Sequence, residues 1–196
     1  MTLPKSEAAS AQKTAGLLLE GKIAVIPTDT IYGFSGLAIL NGKKSGLDLE
    51  IDRLKKSPAS KPLIELIAKP QDIFKYTDQE ISPAVMDKWP GPVTAIVQNN
   101  AWYAGLTGRA TTAFRCPGDE WLRTVIELCG CPVYSTSVNY SGNEPLLAQA
   151  DIEREFGGKV PLIVADGDKK TGLPSTLVTM EGGHLRVLRQ GAVSFD

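Results

Sequence analysis

Apolar residues in this chain come in short aliphatic runs broken by glycine, proline and polar turns, the pattern of strands alternating with helices. Ile23-Ala24-Val25-Ile26 follows Gly21 and is stopped by Pro27, which removes a ladder donor, so residues 22–26 are predicted as a buried strand. Ahead of it, Ser6 can cap a helix running to Leu19, with Gly21 just past its end. Residues 1–5 are expected to be disordered. Residues 39–48, with three Gly or Asn breaks, are expected to form a loop, and Leu47, Ile51 and Leu54 then have helical spacing. Further strands are predicted around residues 63–67 and over 93–98, 112–116, 133–136, 160–165, 176–179 and 185–188. Helices are predicted over 81–89, 119–128 and 150–156. The alternation implies an α/β fold, a twisted mixed sheet with flanking helices.

At 196 residues and 42% hydrophobic content, the chain fits one domain spanning residues 1–196. No run of about 18 apolar residues occurs, and Met1-Thr2-Leu3-Pro4-Lys5 lacks the apolar centre of a secretory signal, so the expectation is a cytoplasmic protein without a membrane span. Cys116, Cys129 and Cys131 are odd in number and read as reduced thiols. With the single His184, which looks like a turn residue, they show none of the paired spacings of a zinc site, so no bound metal is expected. A net charge of -1 excludes nucleic-acid binding by bulk charge but leaves room for a local basic cleft. The stretch from Gly36 to Lys43 comes near a phosphate-binding loop, yet Gly42 arrives one residue late and no Ser or Thr follows Lys43.

The richest chemistry lies in Pro27-Thr28-Asp29-Thr30-Ile31-Tyr32-Gly33, three oxygen-bearing side chains and a phenol in a break after a strand. Short hydroxyls beside free backbone N–H groups suit carboxylate or phosphate oxygens, although such a run alone also fits an ordinary turn or helix cap. A second hydroxyl-rich break, Ser135-Thr136-Ser137-Val138-Asn139-Tyr140-Ser141-Gly142, can face the first across one cleft. Between them, residues 53–63 carry four cations and no carboxylate, which by itself describes a solvated face.

These three segments, in this order, resemble the YrdC-like threonylcarbamoyl-AMP synthases. The likeness continues through Trp89-Pro90-Gly91-Pro92-Val93-Thr94, Thr111-Thr112-Ala113-Phe114-Arg115-Cys116-Pro117, Pro174-Ser175-Thr176-Leu177-Val178 and Leu188-Arg189-Gln190-Gly191-Ala192. The resemblance implies an α/β domain with a large concave basic cleft. It also implies a reaction joining L-threonine, bicarbonate and ATP, with Mg²⁺, into threonylcarbamoyl-AMP and pyrophosphate, the product passing to tRNA or a tRNA-modifying transferase complex.

Carried over residue by residue, the family's pattern makes Lys55 the catalytic or phosphate-contacting lysine. Thr30, Tyr32, Arg115, Ser135 and Ser175 fall at positions for L-threonine and bicarbonate, and Thr111, Ser137, Asn139 and Arg189 at nucleotide-contacting ones. The chain departs from the pattern at Ser57, where the family has arginine, at Lys61 and at Leu66. Lysine supplies a point charge where arginine supplies a planar fork, and Lys56 or Lys61 is the expected compensating nucleotide contact. A different class of function, a YciO-type module binding double-stranded RNA on a basic face with weak or no adenylation, is the alternative. Arg115 also fits a simple ion pair, Tyr32 and Trp89 fit core aromatics, and Ser175 fits a strand edge.

Overall fold

The computed structural model describes residues 1–57, 62–181 and 184–195. In chain order the elements begin with β1 (Thr2–Pro4), α1 (Ser10–Leu19), β2 (Ala24–Pro27), β3 (Tyr32–Leu37), β4 (Ile39–Leu40), β5 (Lys43–Lys44), α2 (Leu47–Leu54) and β6 (Ile64–Leu66). After a 3₁₀ turn at Pro70–Lys75 come α3 (Pro83–Met86), β7 (Val93–Gln98), α4 (Ala101–Thr107), β8 (Thr111–Arg115), α5 (Glu120–Cys129) and β9 (Val133–Ser137). The chain continues with α6 (Gln149–Phe156), β10 (Leu162–Ala165), β11 (Thr176–Glu181) and β12 (His184–Arg189). Ten strands among the described residues form one mixed sheet, in the order β1-β10-β2-β3-β9-β6-β8-β7-β11-β12.

Side-chain alternation along the strands decides what each face holds. From β2, Ala24 and Ile26 point into a core closed by α1 and α5, while Val25 points to the opposite face and packs with Ile51 of α2 and Phe156 of α6. A third core joins Val93, Ala95 and Val97 of β7 to Tyr103 of α4 and Phe114 of β8. Helix α5 is set by local chemistry: the Asp119 side chain accepts from the Leu122 N–H, and Gly130 takes the left-handed conformation at the other end. Trp89 is a core residue whose indole N–H donates to the Val93 carbonyl at 2.7 Å.

Several expectations need correction. Residues 2–4 are not disordered but form a strand parallel to β10, with Leu3 opposite Val164. Helix α1 begins at Ser10 instead of Ser6, and its Ser10 hydroxyl donates to the Lys5 carbonyl. The predicted 39–48 loop contains the small β4–β5 hairpin. Only Pro83–Met86 of the predicted 81–89 helix is helical, and α4 lies in a segment assigned no element from the sequence. His184 opens β12 opposite Glu181, so it is a strand residue. Pro27, expected to end its strand, still pairs with Tyr32 at the close of a hairpin.

Behind the sheet, Glu65 of β6 is wholly buried, with the Tyr103 hydroxyl donating to its carboxylate and an Arg109 nitrogen 3.9 Å away. Burial pushes the Glu65 carboxyl up to about 7, against the Tyr103 hydrogen bond and the Arg109 charge. A raised folded value means that the stabilisation is complete below the unfolded value of 4.5 and is lost as pH rises through about 7. Chemical denaturation between pH 5 and 8 is therefore expected to show falling stability, at about 1.4 kcal/mol for each pH step between the two values. Glu65→Gln, which keeps an acceptor for Tyr103, should flatten that slope.

Candidate functional site

Part of one sheet face opens into a cleft. The outward positions there mix hydroxyls with aliphatic side chains: Ser135 and Ser137 on β9, Ile64 on β6, Ala113 on β8, Ile96 on β7 and Leu177 on β11. They floor a cleft of about 480 Å³, within the roughly 300–1,000 Å³ of small-molecule sites. One wall is the β2–β3 hairpin tip with Thr28, Thr30, Ile31 and Tyr32, and the other is Pro174, Ser175 and Arg189. Two arginines and no carboxylate line it among the described residues.

The hairpin tip is held by its own hydroxyls. The Thr28 side chain donates to the Ile31 carbonyl at 2.7 Å, accepts from the Thr30 N–H at 3.1 Å and lies 2.9 Å from the Thr30 hydroxyl. Strand β9 runs beside β3 with Gly33 opposite Ser137. A Cβ on Gly33 would stand 2.6 Å from the Ser135 hydroxyl, so only glycine lets that serine sit on the cleft floor.

Arg115 ends β8 and is 4% exposed, so its charge is buried while its partner Asp29 reaches solvent. Its Nε donates to the Gly91 carbonyl at 3.3 Å, one Nη to the Thr30 hydroxyl at 3.1 Å, and the other Nη to the Asp29 carboxylate. Asp29 also accepts from the Gly118 N–H at 2.9 Å. Three of the five guanidinium N–H groups are thereby used, and the remaining two are available to an oxyanion in the cleft. Opposite, the Ser175 hydroxyl shares a 2.7 Å hydrogen bond with that of Thr94, and Arg189 donates to the Ser175 carbonyl at 2.9 Å. Tyr32 contributes its ring to the cleft while its hydroxyl donates to the Gly167 carbonyl at 2.8 Å and accepts from the Asp166 N–H at 2.9 Å. Burial foremost pushes the Tyr32 phenol up to about 12, so it stays a neutral donor.

Thr30, Tyr32, Arg115, Ser135, Ser137, Ser175 and Arg189 thus meet in one place. Lys55 and Asn139 do not line the cleft; they brace it from beneath. The Lys55 ammonium donates to the Ser137 carbonyl, to the Asn139 carbonyl at 3.2 Å and to the Asn139 side-chain oxygen at 2.7 Å. Asn139 also accepts from the Ser137 hydroxyl at 2.6 Å and donates to the carbonyls of Tyr140 and Asn143. Lys56 points away from the cleft, with its ammonium 4.4 Å from the Tyr140 ring centre in a separate groove. Thr111 is exposed at the opposite end of β8 from Arg115, and Ala113 occupies the cleft instead. Lys61 lies outside the described residues.

Sequence reasoning passed over three contributors. Asp29 was noted only as a member of its run, not as the partner of Arg115. Thr94 hides within a predicted strand. The Asp166–Lys169 turn closes on Tyr32, and its signal was an Asp-Gly pair at the end of a buried strand.

The chain matches the Sua5/YciO/YrdC family, described as telomere recombination, over residues 16–191. It belongs to that family. A threonylcarbamoyl-AMP synthase of Pyrococcus abyssi is 28% identical over 187 residues, covering 93% of this chain and 54% of the relative. The chain thus spans about half the length of that curated relative. The crystal structure of P. abyssi Sua5 complexed with L-threonine is 27% identical with a TM-score of 0.83, over 97% of this chain and 57% of the other. Escherichia coli YciO shares the fold, at 19% identity and a TM-score of 0.81, over 99% of this chain and 95% of the other. Among the described residues no helix is long and apolar enough to cross a membrane.

Burial lowers the Lys55 amine to about 8, so the ammonium persists at neutral pH facing its three oxygen acceptors. Lys55→Met should strand those acceptors and cost about 1–3 kcal/mol in urea denaturation. It should also raise amide exchange across residues 137–143, where a purely surface lysine would leave exchange unchanged.

Proposed function

We propose that the cleft binds L-threonine beside ATP and that the protein condenses them with bicarbonate into threonylcarbamoyl-AMP, releasing pyrophosphate and water. One observation carries the reading. Hydroxyls from a hairpin tip and from strand β9 meet two guanidinium groups over an open sheet face, in a chain whose backbone follows that of a protein solved with L-threonine.

Among the described residues that line the cleft there is no cysteine, histidine or carboxylate to serve as a nucleophile. Catalysis by positioning and charge neutralisation suits such a lining. The threonine amine attacks bicarbonate, and water leaves to give an N-carboxylate. An oxygen of that carboxylate then forms a bond to the α-phosphorus as the bond to the bridging oxygen breaks and pyrophosphate departs. Arg115, with two free N–H groups beside Thr30, is suited to the amino-acid carboxylate. Ser137 and Arg189, at other borders of the cleft, are suited to the nucleotide.

Lys55 supports this role by fixing Ser137 and Asn139. Mg²⁺ belongs with the triphosphate as part of the substrate: among the described residues no carboxylate lines the cleft, and Asp29 is committed to Arg115 and the Gly118 N–H. The product passes in the cytoplasm to the enzymes that modify tRNA. The RNA-binding alternative rests on the departure at Ser57 and would use a concave basic face, and neither Lys55 nor Lys56 presents its charge to the cleft.

Pyrophosphate release should require ATP, bicarbonate and L-threonine together, and release indifferent to threonine would remove the proposal. Arg115→Lys keeps the charge but loses the planar fork. It should raise KM for L-threonine about tenfold while leaving KM for ATP within roughly a factor of two.

A further inference from the structure

The arginines of the cleft are both engaged by the protein, Arg115 by Asp29, Thr30 and Gly91 and Arg189 by the Ser175 carbonyl. A third cation, Lys169, packs against a residue that borders the cleft. Lys169 follows β10 in a turn that several contacts fasten. Its own N–H donates to the Leu147 carbonyl at 2.9 Å, Gly167 N–H donates to the Gln149 side chain at 3.0 Å, and the Tyr32 hydroxyl bridges Asp166 and Gly167. The Lys169 ammonium lies 5.3 Å from the centre of the Tyr32 ring, the same ring that borders the cleft. Its backbone is therefore fixed while its four-carbon stem can redirect the charge.

The ion pairing around it is asymmetric. Lys169 is ion-paired with Asp166 at 2.9 Å, and the same Asp166 oxygen is also 3.3 Å from the Lys5 ammonium. Lys5 is anchored independently by Asp119, the cap of α5. Burial alone would raise the Asp166 carboxyl, and its lysines, Lys169 first, hold it below its usual value. If Lys169 turns toward a ligand, Asp166 keeps Lys5 as its counter-ion and, being open to solvent, its carboxylate is not stranded. A cation that can leave its partner at so little cost differs from Arg115, whose departure would strip Asp29 of its ion pair.

Resting on the synthase reading, we propose that Lys169 is a phosphate-binding residue, moving from Asp166 to the β- and γ-phosphates of ATP when the nucleotide enters the cleft. The ammonium would neutralise charge on the departing pyrophosphate, a task for which a mobile point charge suffices. Because AMP lacks those phosphates, the contact separates ATP from AMP and leaves L-threonine untouched.

Isothermal titration calorimetry on the full chain tests this with ATP, AMP and L-threonine as probes. Lys169→Met should weaken ATP about tenfold and change AMP and L-threonine by less than roughly twofold. Lys169→Arg should restore most of the loss, and the gap between wild type and Lys169→Met should narrow at high salt. Lys5→Met, which removes the counter-ion left to Asp166, is expected to weaken ATP in the same direction as Lys169→Met and by less. Wild-type protein that binds ATP with no loss in Lys169→Met overturns the inference alone, as does a variant that loses ATP and L-threonine equally. Wild-type protein that binds no ATP overturns the synthase reading and this inference with it.

Discussion

Strand β9 lies between β3 and β6, antiparallel to both, and this pairing is the constraint on which the cleft rests. It aligns Gly33 with Ser137 and Ser35 with Ser135, so a hairpin tip rich in hydroxyls ends beside a strand of serines. The alternation of β9 sends Val133 into the core under α1 and α5 and leaves Ser135 and Ser137 beyond the helices' reach. A slip of one residue would bury both serines and expose Tyr134, which is fully buried. The hydrophobic pattern of β9 thus holds the polar site in register.

Charged groups that reach this framework from below act mainly as braces. Lys55 ties the end of α2 to the backbone that follows β9, and the Ser141 N–H returns a 2.7 Å hydrogen bond to the Lys55 carbonyl. Arg115 does the same between β8, the hairpin tip and the start of α5 through Asp29 and Gly118. Both cations are almost fully buried, and both meet several acceptors, as a buried charge must if it is not to destabilise the fold. Gly191 allows the last such closure: a Cβ there would stand 2.3 Å from the Pro174 carbonyl, so glycine lets the chain after β12 pass against the Ser175 wall.

What could be read locally was read well. Helix α5 carries its own start and stop in Asp119 and Gly130, and its predicted span differs from the observed one by a residue at each end. Helix α4 has comparable signals in Asn100, which accepts from the Tyr103 N–H, and Gly108, yet its mixed residues 101–107 hid the helical period. Strand β3 was hidden because Gly33, Ser35 and Gly36 dilute its alternation. Strand β1 could not be seen in three residues whose partner is β10, near the other end of the chain. Of the neighbouring lysines, Lys55 turns inward and Lys56, at φ 52°, turns to Tyr140. That division arises where α2 ends against the turn after β9.

By itself the sequence determined the class of fold, the positions of most strands and helices, and the segments rich in hydroxyls and cations. These follow from periodicity, capping and composition, which act over a few residues. Only the tertiary structure decided that Arg115 and Asp29 form a pair, that Lys55 braces while Lys56 faces elsewhere, and that Tyr32 reaches a turn 135 residues away. The physical reason is that strand order and side-chain direction are set by contacts between distant segments, and neither is encoded in the neighbourhood of any one residue.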